Sequence, residues 1–265
     1  MENPNSNILL NKSLQDADVQ VQPITIFAPV FNEDLCIKCD VCRTACYRHA
    51  ILQFPSNIPS VMDHMCSGCR TCQKVCPTEA ITDSRRPIGN QYFLPAVRPN
   101  LDVLVGELNP TEAVSVLIVE KILEYCRTLQ EQNNYEYVVI DTSPGAHCDV
   151  ETALSSADVI ACVTEPTPFG EHDLKRILSL IALLKKPAHV ILNRANLTDY
   201  RQPIYDLTAP SDIDLLGEIP LDPIVIEDYA KGSPFVLDER DFPAKSAFLT
   251  IYDRILAKFP QEVKS

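Results

Sequence analysis

Glycine is scarce in this chain: seven occur in 265 residues, and the first is Gly68. No Gly-x-x-x-x-Gly-Lys-[Ser/Thr] run occurs anywhere. That excludes the glycine-rich cradle whose amides and lysine hold a nucleotide's phosphates. Long apolar runs are also missing. The longest are strand-sized, such as 137–140 and 159–163, against the ~20 residues that cross a bilayer. Met1 to Asn11 is polar and asparagine-rich, without the basic start and apolar stretch of a signal peptide. The expectation is a soluble cytoplasmic protein with no membrane span. Positive charge is in deficit. The net charge of −13 argues against nucleic acid as a partner, because phosphate binding needs a basic surface.

The acidity is uneven. Between Val30 and Arg86 six acids (Glu33, Asp34, Asp40, Asp63, Glu79, Asp83) face seven bases (Lys38, Arg43, Arg48, Arg70, Lys74, Arg85, Arg86), so that segment is near neutral. The same segment holds eight of the chain's eleven cysteines. Without a signal peptide and at this spacing, metal clusters fit better than disulfides. Oxygen damages exposed clusters, so an anaerobic setting is expected.

The cysteines form an internal repeat. Cys36-x2-Cys39-x2-Cys42-x3-Cys46 is followed thirty residues later by Cys66-x2-Cys69-x2-Cys72-x3-Cys76-Pro77, and Ala50-Ile51 recurs as Ala80-Ile81. This is the bacterial two-cluster ferredoxin spacing, in which three cysteines wrap one [4Fe–4S] cubane and the fourth reaches the other. The expected ligands are Cys36, Cys39, Cys42 and Cys76 for the first cluster, and Cys66, Cys69, Cys72 and Cys46 for the second. Two zinc sites fit poorly, because zinc usually takes two pairs of ligands rather than runs of four. Tyr47 replaces the proline of the second half and is not a ligand.

After Arg86 the pattern changes. Strands are expected at 101–105, 135–140, 159–164, 188–192 and 215–219, and helices at 111–130, from 152, at 173–185 and at 243–259. The first of these helices carries Ala113, Val116, Leu117, Val119, Ile122 and Leu123 near one face. Apolar strands alternating with helices indicate a covered parallel sheet, with functional residues in loops at strand carboxyl ends. Asp141, Glu165 and Asn193 fall there. Cys126 and Cys162 read as small core residues and Cys148 as loop packing.

Four runs, Asp141-Thr-Ser-Pro-Gly-Ala-His-Cys148, Thr164-Glu-Pro-Thr-Pro-Phe-Gly-Glu-His-Asp-Leu174, Ile191-Leu-Asn-Arg-Ala-Asn196 and Gly217-Glu-Ile-Pro220, resemble the MinD/ParA/Mrp-type P-loop ATPases. More narrowly, the chain resembles the subgroup with an inserted ferredoxin domain. The resemblance runs from about Asp16 to the C-terminus. It implies an α/β fold: a partial doubly wound parallel sheet, its first strand and P-loop absent, with a bacterial-type ferredoxin insertion. The implied domains are an ATPase remnant at 1–29, the ferredoxin-like domain at 30–88 and a MinD-like domain at 89–265. By the same resemblance Asp141 supports Mg²⁺ through water, Asn193 reads adenine, and Asp16 and Asp18 lie near the γ-phosphate. The family's phosphate loop opens its chains, whereas the fifteen residues before Asp16 contain no glycine.

The functional expectation is an iron–sulfur electron-transfer protein that docks a redox partner and does not hydrolyse ATP alone. The alternative is a subunit of an ATP-dependent reductase, or a cluster carrier, with the P-loop and its Mg-ATP site supplied by a MinD-like partner or by missing N-terminal sequence. A homodimer is a further possibility for assembly.

Overall fold

The computed structural model describes residues 9–54, 57–209 and 213–258. The expectations for residues 1–8 and for Phe259 lie outside them. The chain forms two compact units: one from Ala17 to Glu124, the other from Tyr125 onward with the residues up to Asp16.

The first unit is built on an antiparallel sheet of β1 (Gln20–Phe31), β4 (Ile81–Arg98) and β5 (Leu101–Leu108), in the order β1-β4-β5. The pair Phe31↔Ile81 closes the ladder at one end. The cysteine repeat occupies the chain between them, with α1 (Val41–Thr44), β2 (Ile51–Leu52), β3 (Ser60–Val61) and α2 (Thr71–Lys74). Alternation along β1 sends Ile24 and Ile26 to one core and Phe27 to the other. The first core is completed by Ile88, Leu108 and Ile118, the last from α3 (Ser115–Gln132). Burying each such side chain contributes about 1.5–3 kcal/mol. Ile118, only 1% exposed, is the centre of the helix's buried face, with Leu117 and Ile122 beside it; Ala113 precedes the helix and is exposed.

The β1–β4 register shifts at Ile24/Thr25, where the β4 strand carries Ile88 as an extra residue. Beside it, Gly89 leaves no room for a side chain. A Cβ there would lie 2.1 Å from the Glu107 carbonyl oxygen and 2.9 Å from Ile118 Cδ1. Gly89→Ala is therefore expected to destabilise the unit by ~1–3 kcal/mol, read as a lower denaturation midpoint with an unchanged slope.

The compact units divide after Glu124, not at the 88/89 boundary suggested by the motifs. The reason is that β4 runs unbroken through that boundary, paired with β1 before it and with β5 after it. The strand at Leu101 accordingly belongs to an antiparallel sheet, not to the parallel one.

The second unit holds a parallel sheet of β6 (Ile160–Thr164), β7 (Ala188–Asn193) and β8 (Asp214–Ile219), in that order. On one face α4 (Cys148–Ser156), α5 (Pro168–Leu184) and α6 (Gln202–Thr208) pack over Val190 and Leu192. On the other, α8 (Pro243–Lys258) packs Ile251 against Ile191 and Leu216; the short α7 (Pro223–Ala230) precedes it. Central β7 is buried on both faces, as a covered parallel strand requires. Thr167 caps α5 by accepting the Gly170 amide at 3.0 Å, with Pro168 at its first position.

One expected strand is corrected. Residues 135–140 form no strand, and Val139 is 91% exposed. Its apolar pattern fits a strand, but a strand forms only with a ladder partner. Among the described residues no strand forms a ladder with this segment. Among the described residues no helix is long and apolar enough to cross a membrane.

Candidate metal centre

The two halves of the cysteine repeat share one backbone trace. Left-handed residues recur thirty positions apart: Lys38 and Gly68, Asp40 and Arg70, His49 and Glu79, all with φ between 52° and 71°. The short helices α1 and α2 follow in register. At position 68 glycine answers a second need, since a Cβ would lie 3.0 Å from Ile26 Cβ. Each half begins where the other ends. The Asn32 amide donates to the Ala80 carbonyl at 2.8 Å, and the Met62 amide to the Ala50 carbonyl at 2.7 Å. These crossed bonds turn the fourth cysteine of each run toward the other run.

Two concave sites result. One, of about 320 Å³, is lined by Cys36, Cys39, Cys42 and Cys76 against Phe31 and Ile81. The other, of about 350 Å³, is lined by Cys46, Cys66, Cys69 and Cys72 against Phe27 and Ile51. All eight thiols are free. Among the described residues no group of such side chains closes on a single metal ion. The four sulfurs instead ring a space, as a larger inorganic group requires. The donor chemistry fits [4Fe–4S]: four thiols per site, apolar backing, and hydrogen-bond donors beside the sulfurs. The Ala50 amide donates to Cys46 Sγ at 3.4 Å, and Thr71 Oγ1 lies 3.3 Å from Cys69 Sγ. Ser67 Oγ is buried on the wall of the second site, beside the Cys69 sulfur.

Burial pushes the Cys72 thiol up to about 11 and raises Cys42 and Cys66 as well. At Cys69 burial also pulls upward, but the Thr71 hydroxyl and amide outweigh it and the thiol is lowered. Arg86 bonds the Cys66 carbonyl at 3.3 Å while paired with Glu112. Arg70 stacks 4.5 Å over Phe27 and binds Asp83 at 2.9 Å. Ser67, Thr71 and Arg86 were not singled out for the site from sequence. Laying the two repeats over each other would have found the first two, because Ser67 faces Ile37 and Thr71 faces Val41 in that alignment.

The remaining candidates are less gathered. Glu165 follows β6 and Asn193 ends the adjacent β7; Glu165 binds Arg194 at 3.1 Å, and the Asn193 side chain accepts the Arg194 amide at 3.0 Å. Asp141 is exposed in the stretch before α4. The next residues, Thr142 to Gly145, line an open cleft of about 1050 Å³ along β6, together with Glu165, Thr167 and Asp173. Asp16 accepts the Ser13 amide at 3.1 Å in a turn, and Asp18 is exposed and belongs to the other unit. Cys162 is buried, its thiol pushed up to about 11 by burial. Cys126 is half-buried. Cys148 is exposed on the first turn of α4, so it does not pack as a loop residue should.

Residues 29–82 match the family model of the 4Fe-4S dicluster domain. An uncharacterized protein of Methanocaldococcus jannaschii is 32% identical over 194 residues, 73% of this chain and 64% of its own length. The septum site-determining protein MinD of Bacillus subtilis is 28% identical over 145 residues, 52% of this chain and 53% of its own. The chain thus has homologues among the MinD/ParA-like P-loop ATPases and carries a 4Fe-4S dicluster domain. The iron–sulfur part has its own relatives. The pyruvate synthase subunit PorD of M. jannaschii is 32% identical over 59 residues, 22% of this chain and 69% of PorD. The chain spans less than two thirds of the length of the uncharacterized M. jannaschii protein and of B. subtilis MinD.

Proposed function

We propose that the chain is an electron-transfer protein holding two [4Fe–4S] clusters, one on Cys36, Cys39, Cys42 and Cys76 and one on Cys66, Cys69, Cys72 and Cys46. The observation that carries this is the lining of each cavity by three cysteines of one run and the fourth of the other. Bound clusters supply one-electron chemistry; the chain supplies thiolates, apolar walls and amides that hold and shield them. Ile37 lines the first cavity while 64% exposed, with Leu35 and Val41 exposed nearby in sequence. An apolar rim of this kind suits docking of a redox partner protein. The ATPase-like unit is read as a docking body. It engages Mg-ATP only with a phosphate loop from a partner chain or further sequence, and Asp141, Asn193 and Asp16, all in that unit, are the residues assigned to that site.

Anaerobically prepared protein is expected to contain about eight irons per chain, four in each of two cubanes, with matching inorganic sulfide. Stoichiometric zinc with little iron would overturn the reading. Rapid transfer of the clusters to mild chelators would favour a cluster carrier instead.

A further inference from the structure

We infer that the two cluster sites are electrostatically unequal, and that Ser67 and Thr71 hold the cluster bound by Cys66, Cys69, Cys72 and Cys46 at the higher reduction potential. This rests on the two-cluster reading above and goes beyond it, because the repeat alone makes the sites equivalent.

The repeat provides an internal control. The fold is the same in both halves, so residues thirty positions apart occupy matching places and any difference in side chain acts alone. Where Ser67 and Thr71 line the second site, the first half has Ile37 and Val41. Thr71 Oγ1 is 3.3 Å from Cys69 Sγ. A ligating cysteine is a thiolate and has no proton to give, so in the loaded protein this hydroxyl is the donor. Ser67 Oγ is buried on the wall of the same cavity, beside the Cys69 sulfur, and a bound sulfide or thiolate would accept its hydrogen bond. Hydrogen bonds to cluster sulfurs stabilise the added negative charge of the reduced form and raise the potential.

The formal charges point the same way. Arg48 and Arg70 line the second site with no acid, while the first is lined by Lys38 and Asp40, whose charges cancel, and by Thr78 in the place of Arg48. Their effect is the smaller, because Arg70 is paired with Asp83 and Asp40 with Arg43. The first site has one side-chain hydroxyl near a ligand, Thr78 Oγ1, but it stands 3.8 Å from Cys76 Sγ. The Ala50 amide on Cys46 does not discriminate, since the Ala80 amide serves Cys76 in the same way.

The test is a reductive titration of the cluster-loaded full chain, followed by electron paramagnetic resonance. Two [4Fe–4S] signals at separate potentials are expected. Thr71→Val, which installs the side chain already tolerated at position 41, should lower the higher potential and leave the lower one in place. Val41→Thr should raise the lower potential and narrow the gap, which keeps the inference testable if Thr71→Val fails to load. Coincident potentials, or a Thr71→Val shift confined to the lower-potential signal, would overturn the inference while the two-cluster reading stands. Wild-type protein without two [4Fe–4S] signals would overturn that reading itself.

Discussion

Cys46→Ala should damage the cluster held mainly by Cys66, Cys69 and Cys72, twenty or more residues away in sequence, and spare the one held by its own run. Cys76→Ala should do the reverse. The expectation follows from the crossed entrance bonds, Asn32 to Ala80 and Met62 to Ala50, which carry each fourth cysteine across to the opposite cavity. Losing one of four thiolate ligands leaves a cubane an open iron. The affected site should therefore lose its [4Fe–4S] signal or convert to an iron-depleted form, and iron per chain should fall. The other site keeps all four of its cysteines and its Phe31 or Phe27 backing. Magnetic spectra of the two variants separate the outcomes. If each variant damages the cluster of its own run, the crossed arrangement is wrong.

The second large effect is an absence of nucleotide binding. These 265 residues alone are expected to bind Mg-ATP with a Kd of about a millimolar or weaker, and not to turn it over. A nucleotide's charge lies mostly on the β- and γ-phosphates, which P-loop proteins meet with a ring of amides and a lysine. No Gly-x-x-x-x-Gly-Lys-[Ser/Thr] run exists here to form one. Asn193 and Asp141 offer polar contacts at about 1 kcal/mol each, and ordering a free nucleotide costs several times that. The cleft along β6 is roomy, at about 1050 Å³, but its named acids, Glu165 and Asp173, repel phosphate. Calorimetry on the cluster-loaded chain checks the expectation. A micromolar Kd would mean that another segment cradles the phosphates.

The sequence by itself determined which cysteines gather at each cavity. Ligand spacing is a local property: eight cysteines at fixed offsets, repeated after thirty residues, specify which of them face each cavity, and the structure lines the cavities with those sets. The alternation of apolar strands and helices likewise sufficed for the parallel sheet of Ile160–Thr164, Ala188–Asn193 and Asp214–Ile219. Tertiary structure decided what depends on distant partners. Residues 135–140 have the composition of a strand, yet without a neighbouring ladder they stay irregular and Val139 is exposed. Ile81 to Arg98 pairs first with Gln20–Phe31 and then with Leu101–Leu108, so the ferredoxin-like loops and the chain as far as Glu124 fall in one unit where the motifs suggest two. The difference between the two halves is written in the sequence, where Ser67 and Thr71 stand opposite Ile37 and Val41. The fold decides that it falls on the wall of the second cavity, beside sulfur.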